Sequence, residues 1–447
     1  MIFEKVTNIF QIINQKKYIY FLPFLFPLLI SIIFFGKHSI CNDIYFDADS
    51  AEISQQIGTI FGYYDFVKHP SFYFLSFIIY RLINFFIPLL SPENITLIIL
   101  TIFQLFFIFS VWLLCQALKF KSNKLVFFFN LLVSFSVSTF IIFMPETYSL
   151  SVGTLLFGIW YLIFLIPKLK NLKLRLILSF LVIGFASLTS LNLIAITIPY
   201  LAIPIYIYFQ NKKANSFMLS EIRYRLIEFF SSFLLGISPL IIVKVIGKGD
   251  DLGAYINRFG SFNNLLSIKQ WLTSFLNFFS FGFTSPTKVI IRKYTPDLIL
   301  SDFGLISLCL GIIIILITII SLLNSINFIY PRLNSFKFGL LELQRTQFIL
   351  YSFLISFFQL SFFVGFAPGD SILFSPFVTT IILLSCFVYL DEIYINLKNS
   401  LPINFIIILF ISLYLSINII TFSNSFKTPF PSNCRDWGVI NIIIPRN

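Results

Sequence analysis

The strongest constraint on this chain is its long succession of apolar stretches, each near the ~20 residues a helix needs to cross a bilayer, with charge confined between them. These stretches lie near residues 18–36, 95–118, 125–143, 150–167, 176–190, 191–209, 226–246, 303–329, 347–366, 372–390 and 401–420. Only 11% of the 447 residues are charged and 58% are hydrophobic, whereas soluble domains are about a quarter charged. Lipid offers no water to satisfy backbone groups, so segments of this length are predicted to be helices that bond internally. The expectation is an all-α polytopic integral membrane protein with about 11 transmembrane helices. No repeat of fixed period or low-complexity linker divides it, so residues 1–447 read as one integral domain. No small-residue cleavage site follows the first stretch, so residues 18–36 are expected to stay as a signal anchor. The 61 phenylalanines accompany abundant Ile, Asn and Lys, a pattern of AT-rich coding and lipid-facing surface rather than a binding signature.

The net charge of +12 comes from short clusters between apolar stretches, with no continuous basic stripe, so no nucleic-acid partner is expected. The clusters are Lys5/Lys16/Lys17, Lys119/Lys121/Lys124, Lys168/Lys170/Lys173/Arg175, Lys212/Lys213/Arg223/Arg225 and Arg332/Lys337/Arg345. All fall on one side, the cytoplasmic one by the positive-inside rule, if residues 71–90 do not cross. Those residues are therefore placed flat at the membrane surface, with the N-terminus cytoplasmic. His69, Tyr73, Ser76, Tyr80 and Asn84 recur at helical spacing there, giving a hydrogen-bonding face opposite a greasy one. The outer side then holds the loop 37–70, the turn around Glu146, the long loop 247–302 and the tail after 421. Within that long loop, Trp271 to Phe283 is too short to cross and reads as a surface or re-entrant helix. Of the cysteines at 41, 115, 309, 386 and 434, only Cys41 and Cys434 could meet outside as a disulfide.

Chemistry-bearing residues gather on that outer side, each with a plainer alternative. Asp49 and Glu52 would share one helical face, as a base and its neighbour would; alone, Asp-x-x-Glu reads first as a capping box. Asp43 and Asp47 add acidity, each as a solvated loop residue or as a second carboxylate for a metal. His69 precedes Pro70, where it could meet a phosphate or sugar hydroxyl, or simply start a helix. Glu146 follows Pro145 at a helix start favoured by the dipole, yet beside Tyr148 at a membrane edge it could hold a substrate. Arg258, Lys288, Arg292 and Lys293 in the long outer loop could meet a leaving phosphate, or could serve only solubility.

Taken together, these motifs resemble a known family. Asp49-Ser50-Ala51-Glu52 and His69-Pro70-Ser71-Phe72-Tyr73 resemble the Asp-Ser-Gly-Glu and His-Pro-Pro-Gly-Tyr signatures of the DUF2723 membrane proteins, relatives of protein O-mannosyltransferases. Glu146-Thr147-Tyr148-Ser149-Leu150 is similar to that family's Glu-Val-Tyr-Ala-Leu, and all three appear in family order. The likeness covers roughly residues 18–210; the outer loop 247–302 and the spans in 303–420 match only in hydrophobic layout. Ala51 replaces the Gly and Ser71-Phe72 the Pro-Gly, while the later Gly-Leu stretch carries Thr189, Ser190 and Asn192 where a His is expected.

More broadly the resemblance is to the GT-C superfamily, and it implies a GT-C-like bundle with juxtamembrane helices in the first outer loop. It further implies transfer of a hexose or mannose-like sugar from a polyprenyl-phosphate donor to an extracytoplasmic hydroxyl of a protein, lipid or glycan. Asp49 and Glu52 would be catalytic, with Asp47, His69, Tyr73, Glu146, Tyr148, Arg258, Arg292 and Lys293 binding substrate. No cofactor is expected, and no ligand spacing demands a metal. A compact chain without a retention tail points to a bacterial inner membrane. The rival expectation is a transporter or flippase, with Asp302 or Asp370 coupling ions.

Overall fold

The computed structural model describes residues 17–32, 57, 69–143, 147–169, 171–190, 196–210, 216–245, 265–276, 278, 282–283, 304–329, 341–366, 375–397 and 409–420. Every regular element among them is helical. Tight turns over Lys17–Phe24 lead into α1 (Leu25–Ile30). There follow α2 (Pro70–Phe86), α3 (Pro92–Leu118), α4 (Asn123–Ser134), α5 (Val137–Phe143) and α6 (Tyr148–Trp160), with α6 continued by tighter and wider turns to Lys168. The remainder are α7 (Leu172–Thr189), α8 (Thr197–Gln210), α9 (Ser216–Val245), α10 (Ile268–Leu276), α11 (Gly304–Ile329), α12 (Leu341–Phe366), α13 (Pro376–Leu397) and α14 (Leu409–Ile420).

Local sequence explains several helix starts. Pro92 opens α3, where its missing N–H costs nothing, and the Ser91 hydroxyl accepts from the Asn94 amide at 3.4 Å. Asn171 caps α7 in the same way through the Leu174 amide. Each expected apolar stretch carries helix, and six described helices are long and apolar enough to cross a membrane: Asn94–Leu118, Tyr148–Lys168, Leu172–Thr189, Cys309–Asn327, Gln344–Gly365 and Pro376–Ile393. The others are shorter or interrupted. The stretch 125–143 breaks between α4 and α5 at Phe135-Ser136, α8 carries Pro204, and α9 carries Glu221, Arg223, Arg225 and Glu228 in its first half.

Contacts between distant residues sort the helix ends into two groups. At one end Asp391 of α13 accepts the backbone amides of Lys121 and Ser122 between α3 and α4, both at 2.9 Å, and pairs with Arg345 of α12 at 3.0 Å. Gln344 donates to the Ile163 carbonyl, placing the Lys168 end of the α6 span beside them. This is the basic end. At the opposite end His69 meets the Thr189 carbonyl, Ser31 meets Phe143, and Ser138 meets Gly282.

Between the two ends, the α6 span is central, with 83% of its length buried, while α11 is peripheral at 33%. Helices in lipid gain little from the hydrophobic effect and associate through close packing and buried polar bonds. Ser149, Ser151, Gly153, Thr154 and Gly158 make α6 narrow enough for that packing. A Cβ at Gly153 would stand 2.8 Å from the Phe106 ring of α3.

The helix α2, expected flat at the membrane surface, folds back along α3, with the Phe72 ring 5.3 Å from that of Phe103. Of its polar stripe Tyr73 and Ser76 are buried and Asn84 is exposed, as are Phe74, Leu82 and Phe85. The described residues in and after α10 pack against α12 and the start of α5. Trp271 stacks on Phe357 in the body of α12, Phe278 returns to Phe363, and the Gly282 carbonyl accepts from the Ser138 amide and hydroxyl.

Three arginines expected to mark loops are instead buried in ion pairs. Arg175 forks onto both oxygens of Glu221 at 2.8 and 3.0 Å and also reaches Glu228 at 3.1 Å. Arg225 pairs with Glu221, and Arg345 with Asp391. A charge held this far from water needs such partners.

Candidate functional site

The motif-bearing segments meet at the end opposite the basic one. Pro70 at the first helical position sets the start of α2, which leaves His69 as its N-cap with non-helical backbone angles. The half-buried His69 ring places Nδ1 2.8 Å from the carbonyl oxygen of Thr189, the last residue of α7. A carbonyl only accepts, so Nδ1 carries the proton and Nε2 is the acceptor nitrogen of the neutral ring. Thr189 occupies the stretch where the resemblance expects a second His, and it contributes a main-chain oxygen.

One hydrophobic cluster joins the other segments. Ile57, between Glu52 and His69 in sequence, is fully buried with Phe72 and Tyr73 of α2, Ile95, Ile99 and Phe103 of α3, and Leu150 of α6. Leu150 stands two residues beyond Tyr148, whose buried ring meets the Phe377 ring of α13 edge-on at 6.0 Å. The beginnings of α2 and α6, the end of α7 and Ile57 are thereby gathered at a single end of the bundle.

Of the expected site residues, His69, Tyr73 and Tyr148 are described, and only Tyr73 is wholly enclosed in the cluster. Asp47, Asp49, Glu52, Glu146, Arg258, Arg292 and Lys293 lie outside the described residues, as do Cys41 and Cys434. Among the described residues no three His, Cys, Asp or Glu side chains form a metal-sized group. A backbone acceptor such as Thr189 leaves no trace in side-chain motifs, so sequence reasoning could not have paired it with His69. Ile57 carried only its place between the two motifs.

A fixed His acceptor nitrogen beside a helix start can orient a hydroxyl, and the protonated ring can donate to a phosphate oxygen. No protein-family model matches this chain, and no curated protein matches it. Among solved structures it is similar to the archaeal oligosaccharyltransferase AglB from Archaeoglobus fulgidus, in complex with an inhibitory peptide and a dolichol-phosphate. The TM-score is 0.47 at 12% identity, over 92% of this chain and 56% of that one, so the chain spans little more than half of that protein's length.

Proposed function

We propose that this protein is a membrane glycosyltransferase of the GT-C type, moving a sugar from a polyprenyl-phosphate carrier to an extracytoplasmic hydroxyl. The observation that carries the reading is the convergence of three motif-bearing segments, through Ile57, His69 and Leu150, at the end of the bundle opposite the buried and clustered basic residues. By the positive-inside rule that end faces away from the cytoplasm.

The donor's lipid tail would lie between helices, with its headgroup at the motif end, and the acceptor would approach from water. Asp49 takes the proton of the acceptor hydroxyl as its oxygen bonds to the anomeric carbon. The bond from that carbon to the phosphate oxygen breaks with its electron pair, releasing polyprenyl phosphate and inverting the configuration. Much of the rate would come from aligning the two reactants. Glu52, His69, Glu146 and Tyr148 hold sugar or acceptor hydroxyls, Asp47 and Tyr73 support that surface, and Arg258, Arg292 and Lys293 receive the phosphate charge.

The test is transfer from a panel of radiolabelled polyprenyl-phosphate sugars by purified protein in lipid, with wild type beside Asp49→Asn. Label reaching an acceptor with wild type, and falling at least about 100-fold with Asp49→Asn, is expected. Equal transfer by both would remove Asp49 from the mechanism. Movement of labelled lipid across the bilayer without transfer would favour the transporter instead. Turnover is expected to be metal-independent; loss on chelation with restoration by magnesium or manganese would overturn that.

A further inference from the structure

The outward side of α2 is apolar except for one cation. Phe74, Ile78, Leu82 and Phe85 recur at i, i+4, i+8 and i+11, all exposed, and the exposed Arg81 stands among them at i+7. Its guanidinium lies over the Phe77 ring, 5.1 Å from the centroid. No acidic residue occurs on α2, and no ion pair among the described residues includes Arg81. Arg175, Arg225 and Arg345, by contrast, each meet a carboxylate. A ring face attracts the cation but takes none of its N–H donors, so these are left to meet an anion from outside the chain.

The level of Arg81 along the bundle indicates which anion. The helices α2 and α3 run antiparallel through the short turn between them, with Phe72 packed on Phe103. Arg81 stands about 14 Å further along the axis than Phe72. Counting the same number of residues back from Phe103 reaches Asn94, where the membrane-length part of α3 begins. Lipid phosphates sit at that boundary between hydrocarbon and water. On the deeper side of Arg81 the stripe continues through Ile78 and Phe74, a surface that suits an acyl chain. Leu82 and Phe85 flank the cation toward the headgroups, where aromatic side chains are favoured.

We propose that α2 binds an anionic phospholipid of the leaflet at the motif end, with the lipid phosphate on the Arg81 guanidinium and an acyl chain along Ile78 and Phe74. A zwitterionic lipid carries its own cation beside the phosphate and competes poorly for the site. The proposal is independent of the sugar chemistry and does not rest on the transferase reading.

Its test titrates the purified full chain in detergent with phosphatidylglycerol or phosphatidylcholine of matched acyl chains, counting bound lipids by native mass spectrometry. Arg81→Gln is expected to weaken the tightest phosphatidylglycerol binding about fivefold and to leave phosphatidylcholine binding as it was. Arg81→Lys keeps the charge and should retain most of the preference. Ile78→Ser should weaken binding of both lipids through the chain contact; no change would remove the acyl chain from the site. Lys269, the exposed cation of α10, serves as the control for charge alone. Equal losses in Arg81→Gln and Lys269→Gln would reveal a general charge attraction and overturn the site, as would undiminished phosphatidylglycerol binding by Arg81→Gln. Displacement of the bound phosphatidylglycerol by polyprenyl phosphate at a much lower concentration would reassign Arg81 to the lipid carrier and overturn the phospholipid proposal. Both residues are exposed, so thermal unfolding unchanged from wild type is expected in every variant, which separates a lost lipid from a lost fold.

Discussion

His69 separates two jobs that a single alanine substitution would merge. Its Nδ1–H tie to Thr189 joins α2 to α7, while the proposed function assigns Nε2 to substrate. The amide of Asn can reach as Nδ1 does but offers nothing at Nε2. We expect His69→Asn to keep thermal stability close to wild type, and His69→Ala to lose about 1 kcal/mol with the hydrogen bond. Both should lose transfer. Equal stability of the two, read from thermal unfolding in detergent, would show that the Thr189 contact contributes nothing. Arg175 presents the opposite case, a cation whose role is wholly internal. It joins Glu221, Glu228 and the Tyr200 hydroxyl, and its removal takes the guanidinium from the buried Glu228 and leaves Glu221 paired with Arg225. Breaking such a pair costs about 3–5 kcal/mol, so Arg175→Ala should unfold far earlier than Lys173→Ala in the same first turn of α7. Similar unfolding temperatures would contradict the network's importance.

Helix packing depends on small residues at a few crossings. A side chain at Gly153 must displace the Phe106 ring, only 2.8 Å from its Cβ, and overpacking of this kind costs about 1–3 kcal/mol. Gly153→Val should therefore destabilise the protein, and adding Phe106→Ala should recover part of the loss; additive losses would place the strain elsewhere. At this scale the helices were legible from sequence because apolar length and flanking charge are local properties. The His69-Pro70 start of α2 was legible for the same reason. The polar ties were not, since Gln104, Ser138 and Asp391 each join residues remote in sequence. Arg175, Arg225 and Arg345 looked like loop markers because their position at helix ends resembles a topology signal. The spacing of Glu221 and Arg225, one helical turn apart, was the available hint that at least one was paired.

Across the whole molecule, the two groups of helix ends make a directional prediction. In sealed vesicles a membrane-impermeant thiol reagent should label a cysteine placed at Leu89, 97% exposed at the tip beyond α2, from the extracytoplasmic side. A cysteine at Lys121 should be reached only from the other side. These experiments need a background lacking the natural cysteines, and labelling of both positions from one side would overturn the assigned orientation. The tie between Asp391 and the turn at Lys121 and Ser122 also has a consequence in time. Its partners are 270 residues apart, which at ribosomal speeds of about 5–20 residues per second is about 15–50 seconds of synthesis. The half of the chain that carries the candidate site thus enters the membrane well before the helix that fastens its first long hairpin exists. During that interval the nascent protein depends on insertion machinery or lipid to keep the hairpin in place, and a ribosome stalled before α13 would leave a product that quality control can recognise.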